Sequence, residues 1–435
     1  MKFNKWTLGL AAVGVVSLAS AARADEKMNA LQTALSNTTI SGYVSASFNW
    51  AITPGNYNNS PAGYIPFQGI SKENGFNLDV VKLSISKPQD ESPWASGYQI
   101  DLLFGPDAVG YNPSSNNRNY NYNYYYGYGS QDFAIKQAYV SLRTPVGNGI
   151  DWKVGVFDSP LGYEVFDAGS NPNYTRSFGY ALEPTEMTGV LATYKINDEV
   201  SVSAGIANTL MAGINQRAFD YKYNHSFMTR DWNKTFMGSA TFTAPSNWGW
   251  AAGSSFYAGI VYGFNGGHEY GYSGYYANGN QVNYYLGATL NTPWKQLTVG
   301  AAWDYVHNFM GGGTDLGDTW HNDDMVIGLY GTLKATDKLS FNGRAEYLHG
   351  QYNEDFGGGG HFGYSSEAFE VTGTVEYDLW ANVISRLELR WDHLGSFNTP
   401  TAVYGPDISG GSPSGFNTLD EKTSVGLYAN IIYKF

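Results

Sequence analysis

From residue 38 onward, apolar and polar residues alternate with a period of two, the pattern of strands that present one face to each of two environments. Ile40, Val44, Ala46, Phe48 and Trp50 take turns with Ser41, Tyr43, Ser45, Ser47 and Asn49. The pattern returns in Val282, Tyr284, Leu286, Ala288 and Leu290, then in Leu297, Val299, Ala301, Trp303 and Tyr305. It closes the chain in Val425, Leu427, Ala429, Ile431, Tyr433 and Phe435. Sixteen such segments are predicted, near 39–50, 76–87, 94–104, 132–143, 150–157, 187–195, 199–208, 236–245, 251–263, 280–291, 296–307, 324–334, 338–349, 368–379, 383–393 and 421–435. The second, fourth and sixth alternate irregularly, which predicts bulges. Eighteen strands are reached if 215–223 or another loop stretch also pairs. Most segments exceed the usual strand length of about 5–6 residues. They suit a tilted membrane-crossing strand, which needs about 9–11.

The connections sort by length. Those after even-numbered segments are short turns such as Gln89-Asp90-Glu91-Ser92, Asn197-Asp198, Thr336-Asp337 and Ala381-Asn382. Those after odd-numbered segments run to about 16–30 residues rich in Gly, Asn and Tyr. Short turns on one rim and long loops on the other, with an even strand count, predict an all-β fold. It is a transmembrane antiparallel up-and-down barrel with short periplasmic turns and long extracellular loops. Aromatic residues support it independently. Trp94, Trp152, Trp248, Trp250, Trp294, Trp380 and Phe435 fall at the short-turn rim, while Trp50, Phe104, Tyr262, Trp303, Tyr305, Tyr347 and Trp391 fall at the far strand ends. Two aromatic girdles mark two membrane interfaces. No apolar run after the leader is long enough for a membrane-spanning helix.

The opposite face of the strands is polar. Arg344, Glu346, Glu370, Glu376, Arg386, Glu388, Arg390 and Asp392 all point to one side, with Arg143 and Lys153 on earlier segments. Neither lipid nor a dry core tolerates such a wall, so it is assigned to a water-filled lumen, which a sixteen-stranded barrel is wide enough to hold. Most of these charges are expected to pair with neighbours on adjacent strands.

The first 24 residues read as a cleaved signal peptide: Lys2 and Lys5, an apolar core from Leu8 to Leu18, and Ala22-Arg23-Ala24 before Asp25. Residues 25–37 are then a tail or short amphipathic helix, and 38–435 the barrel domain. Of 435 residues only 14% are charged, with 25 bases against 38 acids and a formal charge of −13. Removing Lys2, Lys5 and Arg23 leaves 22 bases against 38 acids, or −16. An acidic chain without basic runs is no nucleic-acid binder. It has no cysteine, excluding disulfides and thiolate chemistry. Hydrolase, metalloprotease and P-loop motifs are absent, so no enzyme, cofactor or resident metal is expected. The seven histidines fall in or beside the long loops. Among them, His307, His349 and His393 leave an external metal site open as an idea.

The segment from Lys136-Gln137-Ala138-Tyr139-Val140 through Gly155-Val156-Phe157-Asp158-Ser159-Pro160-Leu161-Gly162-Tyr163-Glu164 carries a resemblance. It continues in Asn171-Pro172-Asn173-Tyr174-Thr175-Arg176-Ser177, Glu183-Pro184, Thr188-Gly189 and Gly205-Ile206-Ala207-Asn208. The chain resembles Gram-negative outer-membrane porins, specifically a β-barrel porin family of environmental bacteria. The resemblance implies passive diffusion of small hydrophilic solutes and ions, contact with outer-membrane lipid and lipopolysaccharide, and compatibility with a homotrimer. The final Tyr433-Lys434-Phe435 is similar to the signal read by the barrel-assembly machinery. The resemblance also implies that the third long loop, 158–186, folds into the lumen as a constriction. That loop carries Asp158, Glu164, Asp167, Glu183 and Glu186 against Arg176. Such an acidic constriction predicts mild cation preference, offset in part by bases on the opposite wall. Tyrosine-rich stretches at 120–128 and 270–276 leave two alternatives open: a carbohydrate-preferring channel, and a surface-binding barrel acting as adhesin or receptor.

Overall fold

The computed structural model describes residues 37–52, 72, 74–111, 133–210, 214–215, 219–222, 226–229, 232–264, 279–311, 319–355, 361–397 and 423–435. The leader, most of the tail and both tyrosine-rich stretches lie outside the described residues. Among the described residues eighteen strands follow one another: β1 Thr39–Ala51, β2 Gly75–Lys87, β3 Ser96–Phe104, β4 Phe133–Thr144, β5 Ile150–Asp158, β6 Glu186–Lys195 and β7 Val200–Ala207. Next come β8 Phe219–Lys222, β9 Ser226–Thr229, β10 Thr235–Thr243, β11 Ser255–Phe264, β12 Gly279–Asn291 and β13 Leu297–Gly311. The last five are β14 Thr319–Lys334, β15 Leu339–Asp355, β16 His361–Trp380, β17 Val383–Phe397 and β18 Thr423–Lys434. Sixteen close into one antiparallel barrel, and β8 pairs only with β9 as a separate hairpin. The stretch that would have raised the barrel count to eighteen therefore pairs outside the barrel. The ladder is shut by β1 against β18, with Gly42 and Phe435 exchanging backbone hydrogen bonds of 2.9 and 3.0 Å.

The alternation decides which way each side chain points. Leu387 and Leu389 on β17, and Val371 and Val375 on β16, are exposed outward, while Arg386, Glu388, Arg390 and Thr372 between them are buried inward. Trp50, Trp94, Trp294, Trp380, Trp391 and Phe435 are all exposed, with Trp152 and Trp303 half-buried. The short turns cap themselves. Asn197 Oδ1 accepts from the Val200 N–H at 2.7 Å, and Thr336 Oγ1 from the Leu339 N–H at 3.0 Å.

Bulges occur where the pattern stumbles. Register shifts at Asp79 in β2 and at Lys136 in β4, and each extra residue brings a charged side chain into the interior. Further shifts fall near both ends of β16. The sixth segment pairs without a shift on both sides. It looked irregular because both its faces are apolar: Met187 and Leu191 point inward and pack with Phe157, Ala207, Met237 and Val261.

Candidate functional site

Between β5 and β6 the chain leaves the wall, and its residues meet side chains from most of the way round the barrel. A loop without a ladder must find partners for its own amides and carbonyls, and this one begins by making them. Asn171 accepts from the Val165 N–H at 2.8 Å and donates to the Val165 carbonyl at 2.6 Å. Ser177 caps the short helix α1, Phe178–Leu182, by accepting the Tyr180 N–H at 2.9 Å. Close approach to the wall needs glycine. Leu161 lies against Gly259 and Tyr163 against Gly300, so a side chain at either glycine would collide. Tyr163 then stacks on Tyr330 with ring centroids 4.0 Å apart.

The wall supplies the remaining partners, arginines for carbonyls and glutamates for amides. Arg344 donates to the Thr175 carbonyl at 2.7 Å and pairs with Glu164 at 2.7 Å and Glu370 at 3.1 Å. Arg386 donates to the carbonyls of Ala168 and Asn171, both at 2.7 Å, and pairs with Glu376 at 2.6 Å. Arg390 donates to the Arg176 carbonyl at 2.6 Å while holding Asp392 at 2.7 Å. Glu388 accepts the N–H groups of Tyr174 and Thr175 at 2.6 and 2.9 Å, and Glu346 accepts that of Phe178 at 2.7 Å. Charge-assisted bonds of this kind are the strong ones, and each buried charge has partners, as burial demands.

This changes the reading of three bases. Arg344, Arg386 and Arg390 were expected across an opening from the loop, offsetting its acids at a distance. They are bound to it directly, because the loop's unladdered carbonyls need forked donors. Arg143 sits beside a short turn, pairing with Asp151 at 2.7 Å and donating to the Asn148 carbonyl at 2.7 Å. Lys153 lies inward over the Tyr139 ring at 4.9 Å.

The loop acids divide. Glu164 pairs with Arg344, and Asp167 with Lys82 at 2.9 Å. Asp158 pairs with Lys136, which also approaches Glu186 to 3.7 Å. The side chains of Asp158 and Asp167 remain 44% and 32% exposed, whereas those of Glu164 and Glu186 are fully covered. Glu183 contacts Asp304 on β13. Burial first, then the Asp304 and Glu164 carboxylates, push Glu183 well above the ordinary carboxylate range. Arg176 is buried over the Tyr180 ring at 5.3 Å and donates to the Phe166 carbonyl.

Sequence reasoning did not pick out Asp79, Lys82, Asp101, Lys136 or Asp304. Asp79 gathers the hydroxyls of Ser45, Ser47 and Tyr174 at 2.7–2.9 Å. For Asp79 and Lys136 the available signal was the broken alternation of the second and fourth segments. The stretch of wall formed by β4 to β7 and β10 to β11 is different in kind. Toward the short-turn rim, its inward positions are Ser141, Thr193, Ser203, Ser239 and Thr241, with Tyr139 and Tyr257. Thr193 and Ser203 share a hydrogen bond at 2.9 Å. Among the described residues no cluster of three His, Asp or Glu could hold a metal ion. His307 instead pairs with Asp323 at 2.7 Å, and His393 stacks on Trp391.

A family model described as "Putative beta-barrel porin-2, OmpL-like" matches residues 37–435. No curated protein sequence matches the chain. Among solved structures, the trimer form of OmpT, an outer membrane protein of Vibrio cholerae, is similar at 12% identity, with a TM-score of 0.53. The match covers 92% of this chain and 99% of that one. The anion-selective porin from Comamonas acidovorans is similar at 11% identity, with a TM-score of 0.52 over 92% of this chain and 99% of that one. At such identities the likeness is one of fold.

Proposed function

Because this chain belongs to the β-barrel porin-2, OmpL-like family of outer-membrane channels, we propose that it passes small hydrophilic solutes and ions by passive diffusion, with mild cation preference and no enzymatic step. The observation that carries this reading is the loop of residues 158–186 anchored across the interior beside a wall of hydroxyls. Solutes would pass toward the short-turn rim along the serine- and threonine-lined stretch of wall formed by β4 to β7 and β10 to β11. Uncharged hydroxyls hydrogen-bond a hydrated solute without trapping it, as conduction requires. Asp158 and Asp167 are the loop acids that meet water, and they supply the cation preference. A homotrimer fits this reading, in keeping with the trimer form of the Vibrio protein. So do lipopolysaccharide contact at the long-loop girdle and assembly through the terminal Phe435.

The test is single-channel recording of the mature chain in a planar bilayer. Step-like openings are expected over a wide voltage range, and their absence would sink the channel reading. Added oligosaccharide should leave the current unchanged; concentration-dependent blockage would favour the carbohydrate-preferring alternative.

A further inference from the structure

The bases that face the interior nearly all hold an acid. Lys82, Lys136, Arg143, Arg344, Arg386 and Arg390 each pair with a carboxylate. Lys153 of β5 is different. Among the described residues its ammonium makes no ion pair and no hydrogen bond, and it lies half-buried over the Tyr139 ring at 4.9 Å. The two other acids of its strand are already taken. Asp151 is held by Arg143 at 2.7 Å and by Gln89 at 2.6 Å, and Asp158 by Lys136.

The positions beside Lys153 in the ladder are neutral: Ser141 of β4 on one side and Leu191 of β6 on the other. Residues opposite one another in a ladder have Cβ atoms about 5 Å apart, so one small molecule reaches both Lys153 and Ser141. One step toward the short-turn rim, Thr193 of β6 shares its hydrogen bond with Ser203 of β7 at 2.9 Å. One step toward the long loops, Gly155 and Gly189 face each other and bring no side chain. A tyrosine face attracts a cation without neutralising it. Three ammonium donors therefore remain for an acceptor that comes from outside the chain. A half-buried cation has lost part of its hydration, and an anion compensates for that loss.

We propose that Lys153, with Ser141 and the Thr193–Ser203 hydroxyls, is a subsite for the carboxylate of a small hydroxylated organic acid crossing the channel. The carboxylate accepts charge-assisted hydrogen bonds from the Lys153 ammonium, and the solute's hydroxyls meet Ser141, Thr193 and Ser203. One positive charge suits one negative charge. A divalent anion needs a second base, and the acids at either end of β5 disfavour it. A single half-buried ammonium also holds its guest weakly enough to release it, which transit requires. Lys153 lies five residues beyond Asp158 along β5, toward the short-turn rim. It acts on a solute already inside, and the preference among bare ions stays with the water-exposed loop acids. The subsite gives the channel reading above a substrate class and rests on that reading.

The probe is lactate, singly charged and hydroxylated, with glycerol as its uncharged counterpart. Single-channel current of the mature chain is recorded in KCl with either one added, and each variant is compared with its own current before the addition. Lactate should lower the wild-type current in a concentration-dependent way, and glycerol should not. Lys153→Met should raise the half-blocking concentration about tenfold, the worth of a hydrogen bond to a charged group, whereas Lys153→Arg should keep the blockage. Ser141→Ala, which leaves every charge in place, should raise it by a smaller factor. A wild type that conducts but ignores lactate overturns the subsite and leaves the channel standing. So does equal blockage by glycerol, tighter blockage by sulfate, or blockage unchanged in Lys153→Met or Ser141→Ala. A chain that never conducts overturns the channel reading and the subsite with it.

Discussion

Arg344 serves two strands and a loop with one planar group: its guanidinium reaches Glu370 on the neighbouring strand, Glu164 in the loop and the Thr175 carbonyl behind it. Removing one partner of a buried pair costs about 3–5 kcal/mol, because the other charge stays behind unpaired. Arg344→Ala should therefore undock the loop while the barrel still closes. Trypsin reports this directly, since Arg176 is buried in the docked loop; rapid cleavage after Arg176 is expected in the variant and resistance in the wild type. Equal resistance in both would mean that Arg386 and Arg390 suffice. The period-two pattern alone placed Arg344, Glu370 and Glu388 inside. It could not place Asp79 or Lys136, whose bulges break the parity on which that inference depends. Nor could it pair Glu183 with Asp304, since that contact joins a loop to a distant strand.

Strand identity was legible because each strand meets lipid on one side and polar partners on the other, so its composition must alternate. Strand ends were not: β16 begins at His361, seven residues before the predicted segment at 368, and Phe362-Gly363-Tyr364-Ser365-Ser366 offers no aliphatic residue to extend the pattern. On β17, Leu387 is 53% exposed and pairs with Val375 and Ala429, whereas Glu388 is buried. Leu387→Arg should cost about 2–4 kcal/mol near the bilayer midplane. Glu388→Gln should leave the barrel intact and loosen the loop, because its amide nitrogen cannot accept the Tyr174 or Thr175 N–H. Refolding into lipid vesicles, followed by the gel-mobility shift of folded barrels, separates the two. Equal refolding yields would contradict the register described for β17.

For the whole molecule, formal charge is a poor guide to the passage. The loop's acids outnumber Arg176 five to one, yet Lys82, Lys136 and Arg344 pair with four of them where they stand. Screening weakens what remains, with a Debye length of about 8 Å at physiological ionic strength. Asp158→Asn/Asp167→Asn should shift the reversal potential in a KCl gradient toward anions, leaving Lys82 with Asp101 and Lys136 with Glu186 as their remaining counter-charges. An unchanged potential would assign any selectivity to the barrel wall or mouth. The seam between β1 and β18 governs how such a molecule comes into being. Joining the first strand to the last brings together nearly the two ends of the chain, and loop-closure entropy alone charges about 5 kcal/mol for that. Until Phe435 reaches Gly42, two strand edges stand open in a medium with no water to satisfy them. A half-built barrel is then no stable resting point. The closing step is cooperative and slow, and it benefits from an outside template that covers the open edges until they meet.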